Sequence, residues 1–169
     1  MAGKLLPLLD PARITLNLQS AESTGALREV ARLLEGHPDV TDFPGFFSDL
    51  LARERLDSTC LGNEIAVPHA RTDNVSRIVM AVGRSTEGVL FENGRQTVRL
   101  MFVLGTPMAD PGGYLQLLGV LCRIFKDPSN RAALLAAATP EDFVRVMLVA
   151  EARLLAPVQG VAPARTPVT

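Results

Sequence analysis

The sequence predicts an α/β fold in which one sheet is covered by helices on both faces. Three observations carry this expectation. Strand-like and helix-like stretches follow one another in the order β-α-α-β-β-β-β-α-α-α, a mixed order that calls for layered packing. Residues 100–104 are continuously apolar, which suits a central strand buried on both faces. The helical stretches carry their apolar residues as a stripe along one side, which needs another layer to cover it. A chain of 169 residues with 47% hydrophobic content can bury its own core. We assign residues 1–155 to a single domain. Residues 156–169, rich in Ala and Pro without period, read as a flexible tail.

Each element has a local reason. Residues 1–12 are a lead-in with a short helix before Pro11. Residues 14–18 alternate apolar and polar, the pattern of a half-buried strand. Ala26, Leu27, Val30, Ala31, Leu33 and Leu34 follow at helical spacing, with Ser20 or Ser23 as N-cap and Gly36 as terminator. His37, before Pro38, is expected in a solvent-exposed exit loop. Asp42 caps a second helix with Pro44 in its first turn, and Phe43, Phe46, Phe47, Leu50 and Leu51 form its core face. Arg53 and Glu54 close that helix on its polar side. Residues 65–67 are a short strand that Pro68 terminates, because proline has no N–H for a ladder. Residues 77–83 form a buried strand, and residues 89–91 and 98–104 are the arms of a hairpin around Asn93-Gly94. After the breakers Pro107 and Pro111-Gly112-Gly113, Tyr114 starts a helix with Leu115, Leu118, Leu121, Cys122 and Phe125 on one face. Asp127-Pro128 opens a short helix through Leu134 and Leu135. Thr139, Pro140 and Asp142 then open a last helix with Phe143, Val146, Met147 and Ala150 inward.

Composition excludes several functions. A net charge of −1 with interspersed signs argues against nucleic acid and against anionic membrane surfaces. No apolar run approaches the roughly 20 residues of a membrane span, and no signal-peptide core is visible, so no membrane insertion is expected. Cys60 and Cys122 are too far apart for a CxxC motif. They read as reduced, buried thiols of a cytoplasmic protein. Glycine-rich nucleotide loops, HExxH and GxSxG are absent, and two distant histidines with two lone cysteines make no metal site; no cofactor is expected.

The chemistry concentrates in residues 61–71, Leu-Gly-Asn-Glu-Ile-Ala-Val-Pro-His-Ala-Arg. A Gly62-Asn63 turn leads into the short apolar strand. Pro68 ends the strand, His69 follows just past its end, and Arg71 lies two residues on, hence on the same side of an extended chain. Neutral imidazole is a nucleophile near pH 7, and guanidinium binds phosphate oxygens. The pairing suits a nucleophile that meets phosphate.

Upstream stand Arg53-Glu54 and Ser58-Thr59. The run L-x-R-E-x-L-x-S-T-x-x-G-N-x-I-A-V-P-H-A-R resembles the enzyme IIA domains of the bacterial sugar phosphotransferase system, in its fructose/mannitol and nitrogen-regulatory branch. The similarity continues to the Thr139-Pro140-Glu141-Asp142 helix and covers roughly residues 10–150. It implies a three-layer α/β/α fold with a small mixed sheet and the histidine at its edge. It also implies a phosphotransferase component. By the same resemblance, His69 is expected to take phosphate on Nε2 from the histidine phosphocarrier protein, and Arg53 to lie close enough to join Arg71 in stabilising the transferred charge. Thr59 and Asn63, on the approach turn, are candidates for orienting the ring or the phosphate. A second histidine often opens the helix after the central strand in this family; here Tyr114 holds that place, a neutral donor in place of a titratable one.

Three outputs fit such a domain: transfer to a sugar-specific IIB component, a phospho-switch that binds a regulatory target protein, or a binding module in which His69 is never phosphorylated. The intact Pro68-His69 context speaks against the last.

Overall fold

The computed structural model describes residues 3–91 and 95–156. A single 3-10 turn, Pro11–Arg13, precedes β1 (Ile14–Thr15), α1 (Ser23–Arg32) and α2 (Phe43–Leu56). Three short strands follow: β2 (Cys60–Gly62), β3 (Ile65–Ala66) and β4 (His69–Thr72). Two long strands, β5 (Val79–Phe91) and β6 (Gln96–Pro107), lead into α3 (Pro111–Lys126), α4 (Pro128–Ala136) and α5 (Pro140–Leu155). No helix among the described residues is long and apolar enough to cross a membrane.

The sheet is mixed and has helices on both faces. Strand β6 is central: it pairs antiparallel with β5 on one side and parallel with β3 and then β4 on the other, giving the order β1-β5-β6-β3-β2 with β4 also on β6. Alternation along β6 sorts the core into two layers. Leu100, Phe102 and Leu104 face α3, α4 and α5, where they meet Leu117, Leu121, Ile124, Phe143 and Met147. Met101 and Val103 face α1 and α2, against Ala26, Val30, Phe46 and Leu50. At the start of the apolar run, the N–H groups of both Arg99 and Leu100 donate to the Glu64 carbonyl, at 2.8 and 3.1 Å. Such a doubled bond is a bulge signature, and it puts Val98 in the α1/α2 layer although Leu100 faces the other way.

Several local expectations are corrected. The stretches at 77–83 and 89–91 are one strand whose pairing with β6 shifts register between Arg84 and Val89; the irregularity broke the sequence pattern, not the strand. The Asn93-Gly94 turn and the tail beyond residue 156 lie outside the described residues. The strand expected at 14–18 is assigned only at Ile14–Thr15. Among the described residues no helix precedes Pro11. Leu5 and Leu9 are buried in a turn that the buried Glu151 of α5 holds by accepting from the Lys4 and Leu5 N–H groups, at 2.8 and 3.3 Å.

At α1 neither serine caps: Ser23 is already helical and Glu22 is the N-cap without a side-chain bond. Asp42 does cap α2, accepting from the Gly45 N–H, and Thr139 caps α5, accepting from that of Asp142. Helix α3 starts at Pro111, three residues before Tyr114. Proline fits a first helical position, where its missing N–H is not needed, and Asp110 accepts from the Gly113 N–H at 2.9 Å. A Cβ on Gly113 would meet the Asp110 carboxylate at 2.3 Å, so a larger residue there would have to shift that capping side chain. Its buried face is Leu117, Leu121, Ile124 and Phe125, while Leu115 is 63% exposed. Of the face the sequence pattern offered, Leu121 and Phe125 are buried and Leu118 packs against the core, whereas Leu115 and Cys122 are exposed, because a leucine-rich helix carries two overlapping stripes. Cys122 is exposed and Cys60 half-buried, against the expectation of buried thiols.

Candidate active site

Pro68 interrupts the ladder without ending it. Ile65 and Ala66 pair with Leu100 and Met101, the chain jogs through Val67 and Pro68, and His69 to Thr72 resume parallel pairing opposite Leu104 to Pro107. His69 therefore opens strand β4 and does not lie in a loop past a strand end. At the jog the Val67 N–H donates to the Thr59 carbonyl at 3.0 Å, and the Pro68 carbonyl accepts from the Leu104 N–H at 2.9 Å. The Val67 carbonyl turns toward the imidazole. Alternation along β4 buries Ala70 and Thr72 and leaves His69 and Arg71 on the accessible side, as two-residue spacing requires.

The hydrogen bonds fix the tautomer of His69. Nδ1 lies 2.9 Å from the Val67 carbonyl oxygen, which only accepts, so Nδ1 carries the proton. In the neutral ring Nε2 then holds the lone pair. The Tyr114 hydroxyl lies 2.8 Å from Nε2 and donates to it, with the two rings tilted at 31° and 4.9 Å apart. Both groups are held in the states this needs. Burial lowers the His69 pKa below the ordinary 6.5, the Val67 bond opposes that, and Arg53 adds to it, so the ring is neutral near pH 7. Burial raises the Tyr114 pKa, so the phenol keeps its proton.

Around His69 opens a cleft of about 650 Å³ between α2 and β4, lined among others by Arg53, Arg71, Leu56 and Met108. Arg53 comes from the last turn of α2, and its guanidinium donates to the Asp57 carbonyl at 2.8 Å. Arg71 has no hydrogen bond or ion pair among the described residues, and neither arginine is neutralised by a carboxylate. Both therefore have N–H groups to offer an anion.

Of the six residues singled out in the sequence, His69, Arg53, Arg71 and Tyr114 are brought together. Thr59 is one step removed. It is buried; its hydroxyl donates to Glu54 at 2.7 Å and its carbonyl holds Val67, whose own carbonyl orients His69. Asn63 is not brought to the cleft. It sits with Glu64 at the centre of a tight turn between β2 and β3, with positive φ of 54° and 65°, beside Leu61, Cys122 and Lys126. His37 is half-buried, its Nδ1 accepting from the Asp39 N–H at 2.9 Å. Sequence reasoning missed Asp49, Thr72 and Asn74 of the cleft and the bracing role of Glu54. Asp49 stands one turn before Arg53 on α2, but nothing local in the sequence ties it to Thr72 or Asn74.

The structure thus defines a class: a three-layer α/β/α domain that presents a neutral histidine at the sheet edge, its Nε2 lone pair accepting from the Tyr114 hydroxyl, beside two arginines that no carboxylate neutralises. Residues 7–149 match the family model for the phosphoenolpyruvate-dependent sugar phosphotransferase system, EIIA 2, and the chain belongs to that family. It is 30% identical over 146 residues to a nitrogen regulatory protein of Pseudomonas aeruginosa, covering 86% of this chain and 95% of that protein. A PTS system fructose-specific EIIABC component of Bacillus subtilis is 28% identical over 145 residues, and there the chain spans only 23% of the relative's length. Among solved structures, the nitrogen regulatory protein IIA-Ntr of Neisseria meningitidis superposes with a TM-score of 0.76 at 29% identity, covering 83% of this chain and 97% of that one.

Proposed function

We propose that the protein is a cytoplasmic phosphoryl carrier whose acceptor is Nε2 of His69. The observation that carries this is the tautomer: with Nδ1–H committed to the Val67 carbonyl, the ring has one nucleophilic nitrogen, and it faces the cleft. The donor is the histidine phosphocarrier protein. The Nε2 lone pair attacks phosphorus, the bond from phosphorus to the donor's imidazole nitrogen breaks, and that electron pair returns to the donor ring. Phosphoryl transfer asks the protein for position and charge more than for covalent work. Arg53 and Arg71 supply charge to the equatorial oxygens. Tyr114 first holds Nε2, must swing off as phosphorus approaches, and then donates to a phosphoryl oxygen. Thr59 is a positioning residue, acting through Val67.

From His69 the phosphate passes to a sugar-specific IIB component. An alternative output, binding of a regulatory target, is supported by the nearly full-length likeness to a nitrogen regulatory protein. The test is labelling. Protein incubated with phosphoenolpyruvate, enzyme I and the phosphocarrier should gain one acid-labile, base-stable phosphate that His69→Ala loses. Undiminished labelling of that variant would move the acceptor elsewhere, with His37 the next residue to test.

A further inference from the structure

The cleft beside His69, about 650 Å³ and open to solvent, reaches past the residues that the proposed transfer uses. At its far end lie Asp49, Thr72 and Asn74, which the transfer does not use. They form a built network. Buried Thr72 donates its hydroxyl to Asp49 Oδ2 at 2.6 Å, Asn74 Nδ2 donates to the same oxygen at 3.1 Å, and the Asn74 N–H donates back to Thr72 Oγ1 at 3.1 Å. The Asn74 carbonyl accepts from the Thr41 N–H at 2.9 Å, so the turn is tied from outside as well. Gly45 leaves room for it, since a Cβ there would meet Asn74 Nδ2 at 2.7 Å. Both side-chain bonds go to Oδ2. Among the described residues no protein donor reaches Asp49 Oδ1 or Asn74 Oδ1, which remain as oriented acceptors.

The charges are also unspent. Asp49 and Arg53 stand four residues apart on α2, the spacing and order that favour an ion pair, yet they form none. The cleft has a cationic end at Arg53 and Arg71 and an acceptor end at Asp49 and Asn74, about one helical turn or ~5 Å away. An anion belongs at the first and hydroxyl donors at the second. We infer that this cleft binds a small phosphate ester bearing hydroxyl groups, its phosphate on Arg53 and Arg71 and its hydroxyls on Asp49 Oδ1 and Asn74 Oδ1. Such a ligand occupies the arginines that the proposed transfer needs and competes with phosphorylation of His69; that consequence rests on the proposed function, whereas the binding does not.

The test is a chemical-shift titration of the unphosphorylated wild-type chain, with no phosphoryl donor present. Probes are glucose 6-phosphate, inorganic phosphate, glucose and glutamate. Glucose 6-phosphate should move the amides of Asp49, Arg71, Thr72 and Asn74 and bind at least about tenfold more tightly than any other probe. Arg71→Gln, at an exposed position, should weaken glucose 6-phosphate at least about tenfold. Asp49→Asn turns the free acceptor into a donor and should abolish the preference over inorganic phosphate. Equal binding of inorganic phosphate, tighter binding of glutamate, or a preference that survives Asp49→Asn would overturn the inference. None of these results bears on whether His69 accepts phosphate, which the labelling experiment reads separately.

Discussion

Replacing Tyr114 by Phe removes one oxygen from the site and leaves the ring packed on His69. In the resting state the loss is a neutral hydrogen bond of 2.8 Å to Nε2, worth about 1 kcal/mol. That bond favours the neutral ring, so its removal should raise the His69 pKa. In the transition state the same hydroxyl donates to a charged phosphoryl oxygen, a bond worth about 2 kcal/mol. The difference, about 1 kcal/mol, predicts acceptance about fivefold slower than wild type. The assay is rapid-quench phosphorylation by the phosphorylated phosphocarrier, alongside NMR titration of His69. Tyr114→His should match or exceed wild type, since an imidazolium donates more strongly. If Tyr114→Phe accepts phosphate faster than wild type, the hydroxyl only masks the nucleophile. If rate and pKa are both unchanged, the contact does neither, and the reasoning fails.

Three further outcomes follow from the same geometry. Arg53→Ala should slow acceptance at least about tenfold, roughly 1.4 kcal/mol, while thermal unfolding shows only a small change from the lost bond to the Asp57 carbonyl; normal transfer with collapsed stability would make Arg53 structural. Thr59→Val should cost about 1–2 kcal/mol in denaturant unfolding, because it strips a donor from half-buried Glu54, and should slow transfer through a misplaced Val67; unchanged stability would show that the Glu54–Thr59 brace is idle. The pH dependence has a fixed sign. Because the folded pKa of His69 lies below 6.5, acceptance should stay level as pH falls through 6.5 and drop only below it. Over the same range the unfolded chain takes up a proton that folded His69 resists, as does His37, so stability should decline below pH 6.5; a rise there would contradict burial as the cause.

Much of this site was legible before the structure, and the reasons differ by residue. His69 and Arg71 were readable because residues two apart share a side wherever the chain is extended, with or without ladder partners. The α2 stripe was readable because Phe46 and Leu50 are large and its cap is an aspartate before a proline. The course of the chain around Pro68 was not. A proline forbids one donor, but β6 could still accept β3 before it and β4 after it, and that continuity belongs to the partner strand. Tyr114 came to the site by resemblance; only the helix start at Pro111 explains how a residue three positions in reaches Nε2. Asp49, Thr72 and Asn74 were invisible because their bonds join residues 23 and 25 positions apart. A helix face of mixed charge looks like solvent surface until its neighbour is known. Glu151 escaped for the same reason: its partners are backbone N–H groups at the other end of the chain.

The central claim is that phosphate resides on Nε2 of His69 while Nδ1 keeps its proton on the Val67 carbonyl. Long-range 1H–15N correlation of the phosphorylated protein, 15N-labelled at histidine, reads both nitrogens at once. The predicted result is one altered ring, His69, with the shift and the phosphorus coupling of a phosphorylated nitrogen at Nε2 and a protonated Nδ1. Phosphorus coupling at Nδ1, or a His69 ring unchanged while the protein carries phosphate, would contradict it.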